Sequence, residues 1–508
     1  MEEFADSAGK SALFLTVMGL LSQGLAFLYR VALSRMVGAE IMGLYQLLMP
    51  VYSVLVALTA VGVTAATAHL TALFLAKNDK SAVVATLNWA TFLFVLCLIP
   101  VSIVVLSFSD EISVVLLGDA RTQLGILLLL PCTFLTGLEN IYKHYFYGSG
   151  QVKPPALTEF LEQFVRTLAV LGLLFLFPTY PERQVGLIVL GMVVCEIFSG
   201  VTLVILYHRQ RKKWKLVKQK LPERLVFQMG GIAVPVGASA LLGTLMGAAN
   251  ASLIPRLLVE GGMERSLAMS SFGVLCGMTL PMLGLPTVLL GALNLVLIPR
   301  QARSLALGRW GEIRRRTHKA LLCVSVTMLP AMGLLAVVGG DVGVLLFSDE
   351  RVGEYLLPLA IASAFSSYQS TLFAILNGIG KQTVTALLSL FSGGTQLLFT
   401  LILVPRWGLE GFVLGLLFLS GFHTLFQGYW VLRLTKTTPA LFSWLTAPLL
   451  SALLMSLTCN LLYQVMEDSG IGLYLRLPVT VVIAVGLYSL ALWVQGGRIS
   501  DIFKRNYY

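Results

Sequence analysis

Long apolar runs follow one another along almost the whole chain, separated by short breaks that carry glycine, proline or charge. A helix needs about 20 apolar residues to cross the hydrocarbon of a bilayer. Within that layer the backbone must satisfy its own hydrogen bonds, which leaves only helices and closed barrels. These runs are continuous and rich in Leu and Val, with none of the alternating polarity of a barrel strand. They predict an all-α polytopic membrane protein with about fourteen transmembrane helices: 11–34, 44–74, 83–106, 122–146, 156–177, 185–207, 230–257, 270–298, 320–346, 354–376, 383–404, 411–432, 441–464 and 473–494. The breaks are expected at Gly118 and Asp119, at Pro178 to Pro181, at Gly261 and Gly262, and at Gly339 and Gly340.

Composition removes the competing class. Of 508 residues, 57% are hydrophobic and 12% charged, about half the charged share of a soluble protein. That is too little charge to cover the soluble multidomain enzyme that length alone would suggest. Met1 to Lys10 (MEEFADSAGK) carries three acids and no basic stretch, so no removable signal peptide is expected. The six cysteines, Cys97, Cys132, Cys195, Cys276, Cys323 and Cys459, all fall in predicted spans without a CxxC pair. They read as small packing residues, not as a metal site or a disulfide framework.

Charge then sets the orientation. With the N-terminus inside, 26 of the 36 basic residues fall on the inner side and eight on the outer, as expected from the enrichment of basic residues on the cytoplasmic side. This is expected to place both termini in the cytoplasm. The net charge of +11 is therefore a topology signal and implies no nucleic-acid partner. The stretch Arg209 to Arg224 (RQRKKWKLVKQKLPER) is expected to lie along the headgroups of anionic membrane lipids.

A shift of 230 residues aligns landmarks without a gap. Glu111 to Asp119 (EISVVLLGD) lies over Asp341 to Asp349 (DVGVLLFSD), Gly148 and Gly150 over Gly378 and Gly380, and Gly43 over Gly273. The offset spans six helices, an even number, so the copies share one orientation. Parallel repeats of this kind are related by an axis along the membrane normal, with solute sites between them. The expected organisation is an N-lobe (1–207), a basic cytoplasmic linker (208–229), a C-lobe (230–434) and an appended helix pair with a tail (435–508).

Six plus six plus two helices with a basic central linker resembles the multidrug/oligosaccharidyl-lipid/polysaccharide exporter superfamily. Within it, Gly38 to Pro50 (GAEIMGLYQLLMP) with Arg30 is similar to the stage V sporulation protein B group. So are Ile254 to Leu257 (IPRL), Ser271 to Met278 (SFGVLCGM), Leu297 to Arg300 (LIPR), Val344 to Phe347 (VLLF) and Asn377 to Lys381 (NGIGK). The resemblance covers nearly the whole chain. It implies a flippase for undecaprenyl-pyrophosphate-linked sugars, such as a lipid II-like peptidoglycan precursor used in spore cortex synthesis, with cell-wall synthesis proteins as partners. Lipid II flippases of this superfamily carry several arginines in the first two helices that meet the pyrophosphate. This chain keeps Arg30 and Arg35 but has Gln23 and Tyr29 where two others align. The alternative is an ion-coupled small-molecule or multidrug antiporter of the same superfamily, a branch with a twelve-helix body, so the appended pair favours the flippase.

No enzyme motif is present: there is no P-loop and no HExxH, and His69, His144, His208, His318 and His423 are scattered. No cofactor is expected beyond a coupling cation, a proton or the membrane potential. Charges within spans are functional candidates because they are costly there. Arg30, Arg35, Arg256 and Asn250 are the substrate-binding candidates, since a guanidinium fork binds phosphate bidentately. Snorkelling of Arg30 and Arg256 to outer headgroups is the other reading. Glu196 and His423 are the candidate ion-coupling groups, and a neutral Glu196 hydrogen-bonded to a neighbouring helix is the other reading. Glu139 with Lys143, and Glu162 with Arg166, are spaced four apart on one helix face and read as structural ion pairs or as a cytoplasmic gate. Pro281, Pro286 and Pro299 with Gly277, Gly284 and Gly291, and likewise Pro50 with Gly62, mark the eighth and second spans as prone to bend.

The orientation has a direct test. On a cysteine-free background, Lys212→Cys is expected to react with an impermeant thiol reagent only after the membrane is opened. Labelling from outside intact cells would reverse the assignment.

Overall fold

The computed structural model describes residues 2–178, 181–214 and 225–495. Residues 215–224 of the expected linker and the tail 496–508 lie outside the described residues. Every regular element among the described residues is helical. The chain divides into two compact units, Met1–Gly273 and Val274–Tyr508. The first holds α1 (Glu2–Val56), α2 (Gly62–Ala76), α3 (Lys80–Ser107), the short α4 (Ser109–Glu111), α5 (Gln123–Gly148), α6 (Lys153–Leu176), α7 (Pro181–Arg211), α8 (Leu225–Glu260) and α9 (Arg265–Gly273). The second holds α10 (Leu280–Gly284), α11 (Thr287–Ala306), α12 (Trp310–Phe347), α13 (Leu356–Gly378), α14 (Gln382–Thr435), α15 (Ala447–Asp468) and α16 (Leu473–Val494).

Eleven helical stretches are long and apolar enough to cross a membrane. Two of them, Phe14–Ala76 and Gln382–Thr435, are too long for one crossing. Each is broken at a glycine outside the helical region, Gly38 (φ 76°, ψ 176°) and Gly408 (φ 60°, ψ −143°). Splitting both, and adding α6, whose hydropathy is diluted by Lys153, Glu159, Glu162 and Arg166, returns fourteen crossings among the described residues. Two local expectations change. Gly339 and Gly340 lie inside α12, and a Cβ on Gly339 would come 2.6 Å from Leu356 Cδ2, so Gly339 serves packing. The chain turns instead at Ser348, which takes the left-handed conformation (φ 58°). Gly62 remains helical, and its missing Cβ lets the Ala233 carbonyl approach to 2.2 Å of where that atom would sit. The second and eighth spans contain π-helical turns, Ala57–Val61 and Val274–Thr279, a known form of helix irregularity. The eighth is also interrupted at Leu285 and Pro286, between Gly284 and Thr287, where its glycines and prolines marked it as prone to bend.

The 230-residue repeat is written into the backbone atom by atom. The helix ending at Gly148 closes with Ser149 N to Tyr145 O (2.9 Å), Gly150 N to Tyr147 O (3.0 Å) and Gln151 N to Phe146 O (2.9 Å). The helix ending at Gly378 closes with Ile379 N to Ile375 O (3.0 Å), Gly380 N to Asn377 O (3.1 Å) and Lys381 N to Leu376 O (2.9 Å). Gly150 and Gly380 both have φ 74°, the left-handed cap in which glycine carries no steric penalty. The α2–α3 and α11–α12 turns repeat in the same way, around Asn78 (φ 58°) and Gly308 (φ 67°). Contacts repeat too. A Cβ on Gly148 would meet Ala68 O at 2.4 Å and Thr71 Cβ at 3.0 Å, and one on Gly378 would meet Gln301 Cβ at 2.7 Å and Ile298 O at 3.1 Å. Each neighbour is displaced by the same 230 positions.

Asp119 and Asp349 open the next equivalent turn. Asp119 Oδ1 accepts from Arg121 N (2.9 Å) and Nε (3.0 Å), and Asp349 Oδ1 accepts from Arg351 N (3.1 Å) and Nε (3.0 Å). Burial pushes the Asp119 carboxyl up, but the bonds from Arg121 outweigh it and hold the group below the usual range. For Asp349 the bond from Arg351 is the main cause of the same lowering. In the first unit the turn continues to α1, where Glu40 Oε1 accepts from Arg121 Nη2 at 2.7 Å, two residues beyond the Gly38 break.

The appended pair is bound to the second unit by chemistry as well as by packing. Arg476 on α16 is 6% exposed. It donates to Asp341 Oδ2 on α12 at 2.6 Å, pairs with Glu467 at 3.1 Å, and stacks 4.2 Å from the Tyr463 ring of α15. Tyr463 donates to the same carboxylate at 2.5 Å. Below it, Ala452, Met455 and Cys459 pack with Ala484, Tyr488 and Leu492.

Gly148→Ala and Gly378→Ala are each expected to destabilise the protein by about 1–3 kcal/mol, the range for inserting a methyl into a filled contact. Gly428→Ala, with open space at that position, should change little. Thermal melting in detergent distinguishes them, and three equal melts would refute the packing role of the first two.

Candidate functional site

Three neighbouring helices of the first unit bring five charged side chains together. Glu139 and Lys143 come from α5, Glu162 and Arg166 from α6, and Glu196 from α7. All three carboxylates are buried, Glu139 and Glu196 to 2% exposure. Lys143 Nζ lies 3.1 Å from Glu139 Oε1 as an ion pair, although that oxygen receives no directed hydrogen bond. Arg166 Nη2 donates to Glu162 Oε1 at 2.6 Å and reaches Glu196 Oε1 at 3.4 Å, while its Nε donates to Cys195 Sγ at 3.3 Å. Glu196 Oε2 has no hydrogen-bond partner among the described residues.

Counting full charges, three carboxylates face two cations, an excess of one negative charge. An uncompensated charge in a dry interior costs several kcal/mol. Glu162, Cys195 and Glu196 also place three potential ligand atoms within 4.8 Å of one another. The Arg166 guanidinium binds all three residues, so a metal ion would have to displace it.

The two i,i+4 pairs expected from spacing are present, and the structure joins the Glu162–Arg166 pair to Glu196. Spacing gave no sign of that convergence, because Glu196 comes from a third helix. It likewise gave no sign of Cys195 as a polar participant: its thiol meets Arg166 and donates to the Met192 carbonyl at 3.0 Å. His423 belongs to the second unit. It is 5% exposed, its Nε2 lies 2.9 Å from Thr395 Oγ1, and it packs beside Phe391, linking the two halves of α14 across Gly408.

Of the substrate-binding candidates, Arg30 is half-buried on α1, next to buried Tyr29, and makes no ion pair among the described residues. Arg35 is exposed and Asn250 half-buried. Arg256 is exposed and pairs with Glu260 at 3.0 Å, so its charge is already met.

These features define a multi-pass membrane protein with the fold of the multidrug/oligosaccharidyl-lipid/polysaccharide exporter superfamily. Residues 8–304 match the family described as polysaccharide biosynthesis protein, and the chain belongs to that family. It is 24% identical over 419 residues to stage V sporulation protein B of Bacillus subtilis (strain 168), covering 80% of each chain. It is 20% identical over 384 residues to sporulation protein YkvU of the same organism, covering 73% of this chain and 82% of that one. Among solved structures, the lipid II flippase MurJ in an inward closed conformation matches 97% of this chain and 100% of its own, with TM-score 0.74 and 12% identity. An inward-facing multidrug resistance MATE family transporter matches 84% of this chain and 100% of its own, with TM-score 0.64 and 15% identity.

Arg166→Met would leave three buried carboxylates facing only Lys143. A loss of about 3–5 kcal/mol is expected, the cost of removing one partner of a buried pair. Adding Glu196→Gln to that variant should recover part of the stability. Melting of the two single variants and the double variant tests this, and additive losses would show that the residues do not act as one cluster.

Proposed function

We propose that this protein is a flippase that carries an undecaprenyl-pyrophosphate-linked sugar, such as a lipid II-like peptidoglycan precursor, across a bacterial inner membrane by alternating access. The observation that carries the reading is the extent of the fold. The correspondence with a lipid II flippase covers 97% of the chain, whereas that with a multidrug transporter covers 84%. This favours a lipid-linked substrate over the small-molecule antiporter reading. Membership of the polysaccharide biosynthesis family and likeness to two sporulation proteins agree with a role in spore cortex synthesis, with cell-wall synthesis proteins as partners. Both termini face the cytoplasm in this reading.

Arg30 supplies the anion contact. A half-buried guanidinium with no acidic partner among the described residues suits the pyrophosphate, which it grips through two parallel donors. Arg35 and Asn250 are assigned supporting contacts, and Arg256 joins only if it leaves Glu260. The carboxylate cluster around Glu196 supplies coupling, taking up one proton or one monovalent cation to balance its excess charge. No nucleotide is consumed.

Arg30→Ala is expected to reduce flipping in reconstituted vesicles by about 1.5–3 kcal/mol, the range for hydrogen bonds to charged groups. Arg30→Lys should recover only part, because it keeps the charge and loses the fork. Glu196→Gln should leave substrate binding in place while removing the dependence of flipping on an imposed proton or sodium gradient. Full activity of Arg30→Ala at matched membrane abundance would leave snorkelling as the account of this residue.

A further inference from the structure

A second charged site lies in the other unit, at the turn between α11 and α12. Arg300, Arg303, Arg309 and Arg316 surround a cavity of about 360 Å³ with Ser304 and Glu312. Four guanidiniums against one carboxylate leave a net charge of +3. We propose that this cavity is a binding site for a phosphate group, presented by an anionic membrane lipid or by a soluble phosphate.

The site is built before any ligand arrives. Ser304 is 1% exposed and forms the floor. Its hydroxyl donates to Glu312 Oε2 at 2.8 Å and accepts from Arg316 Nη1 at 2.6 Å. Arg316 also donates to the Arg300 carbonyl, and its Nη2 pairs with Glu312 at 2.9 Å. Glu312 holds Arg309 at 3.2 Å from the other side. The single carboxylate thus positions two of the arginines. The other two, Arg300 and Arg303, stand three residues apart on α11, and neither has an ion-pair partner among the described residues. Two uncommitted forks beside two fixed ones suit the several acceptor oxygens of a phosphate.

The internal repeat shows that the hairpin itself does not require these charges. The α2–α3 turn has the same left-handed residue and the same closing hydrogen bonds. At the positions of Arg300, Arg303, Ser304, Arg309, Glu312 and Arg316 it carries Leu70, Leu73, Phe74, Asp79, Ala82 and Thr86. The same fold element carries four apolar residues, an aspartate cap and a threonine at these positions in one copy and a basic cavity in the other. Leu307 (54% exposed) lines the cavity, and Trp310 (40% exposed) follows Arg309 in the chain. An exposed Trp and Leu beside arginines are typical of the headgroup layer, where basic pockets hold anionic lipid. This pairing therefore favours the lipid as the source of the phosphate.

The test uses the full chain in neutral detergent, with bound lipid counted by native mass spectrometry. Phosphatidylglycerol or phosphatidylcholine is added, and inorganic phosphate is titrated separately by thermal shift. Arg300→Gln with Arg303→Gln is compared with Lys77→Gln with Lys80→Gln, which removes equal charge from the equivalent turn of the first copy. Phosphatidylglycerol binding should fall by about tenfold or more in the first pair, given the ~1 kcal/mol that each basic residue contributes near an anionic surface. It should persist in the second pair, and phosphatidylcholine should bind neither selectively. Arg300→Lys with Arg303→Lys should fall between, and unchanged melting without lipid guards against misfolding. A shift with inorganic phosphate that the Gln pair abolishes would support the site with a soluble ligand as its source. Equal losses in both Gln pairs, or no loss with either ligand, would overturn the proposal.

Discussion

Hydrocarbon offers no hydrogen bonds, and this chain places most of its length where that matters. Each crossing must be helical through the apolar layer, and each reversal must close its own carbonyls before the next helix begins. The left-handed caps at Gly150 and Gly380, the turns at Asn78 and Gly308, and the aspartate-held turns at Asp119 and Asp349 are solutions to that requirement. Their recurrence at one fixed interval shows a shared plan in both copies, down to which carbonyl accepts from which amide.

The same constraint governs charge. A buried ion must find a partner within reach of its own helix or a neighbour. Arg166 does so by joining three helices through Glu162, Cys195 and Glu196, and Arg476 by joining the appended pair to Asp341. Both clusters count one more carboxylate than cations, and they differ in burial. Around Arg476, the Asp341 and Glu467 side chains are 37% and 60% exposed and the guanidinium also stacks on Tyr463, an arrangement suited to holding helices together. Around Arg166 all three carboxylates are buried, and Glu196 keeps an oxygen without a partner among the described residues. His423, by contrast, is engaged with Thr395.

The two copies have diverged in what their equivalent positions do. Gly118 and Ser348 both turn the chain with a left-handed backbone, yet Arg121 reaches on to Glu40 while Arg351 stays with its aspartate. Around the α11–α12 turn four arginines line a cavity, where the equivalent positions of the first copy are Leu70, Leu73, Asp79 and Thr86. A duplicated frame lets one copy take on new chemistry while the closing hydrogen bonds hold the backbone in place.

The class of protein, the number of crossings, the interval of the repeat and the two i,i+4 ion pairs were legible in the sequence. Each depends on periodicity or on neighbours within one helix, and such relations survive in a linear reading. The positions where a Cβ decides the path were not legible. Gly339 and Gly62 looked like breaks or bends and proved to be contacts, because what distinguishes them is the atom that faces them from another helix. Nor could spacing bring Glu196 to Arg166, or Asp341 to Arg476 across 135 residues. A side chain in hydrocarbon takes whichever partner the packing of helices brings within about 3 Å, and only the tertiary structure decides which helices those are.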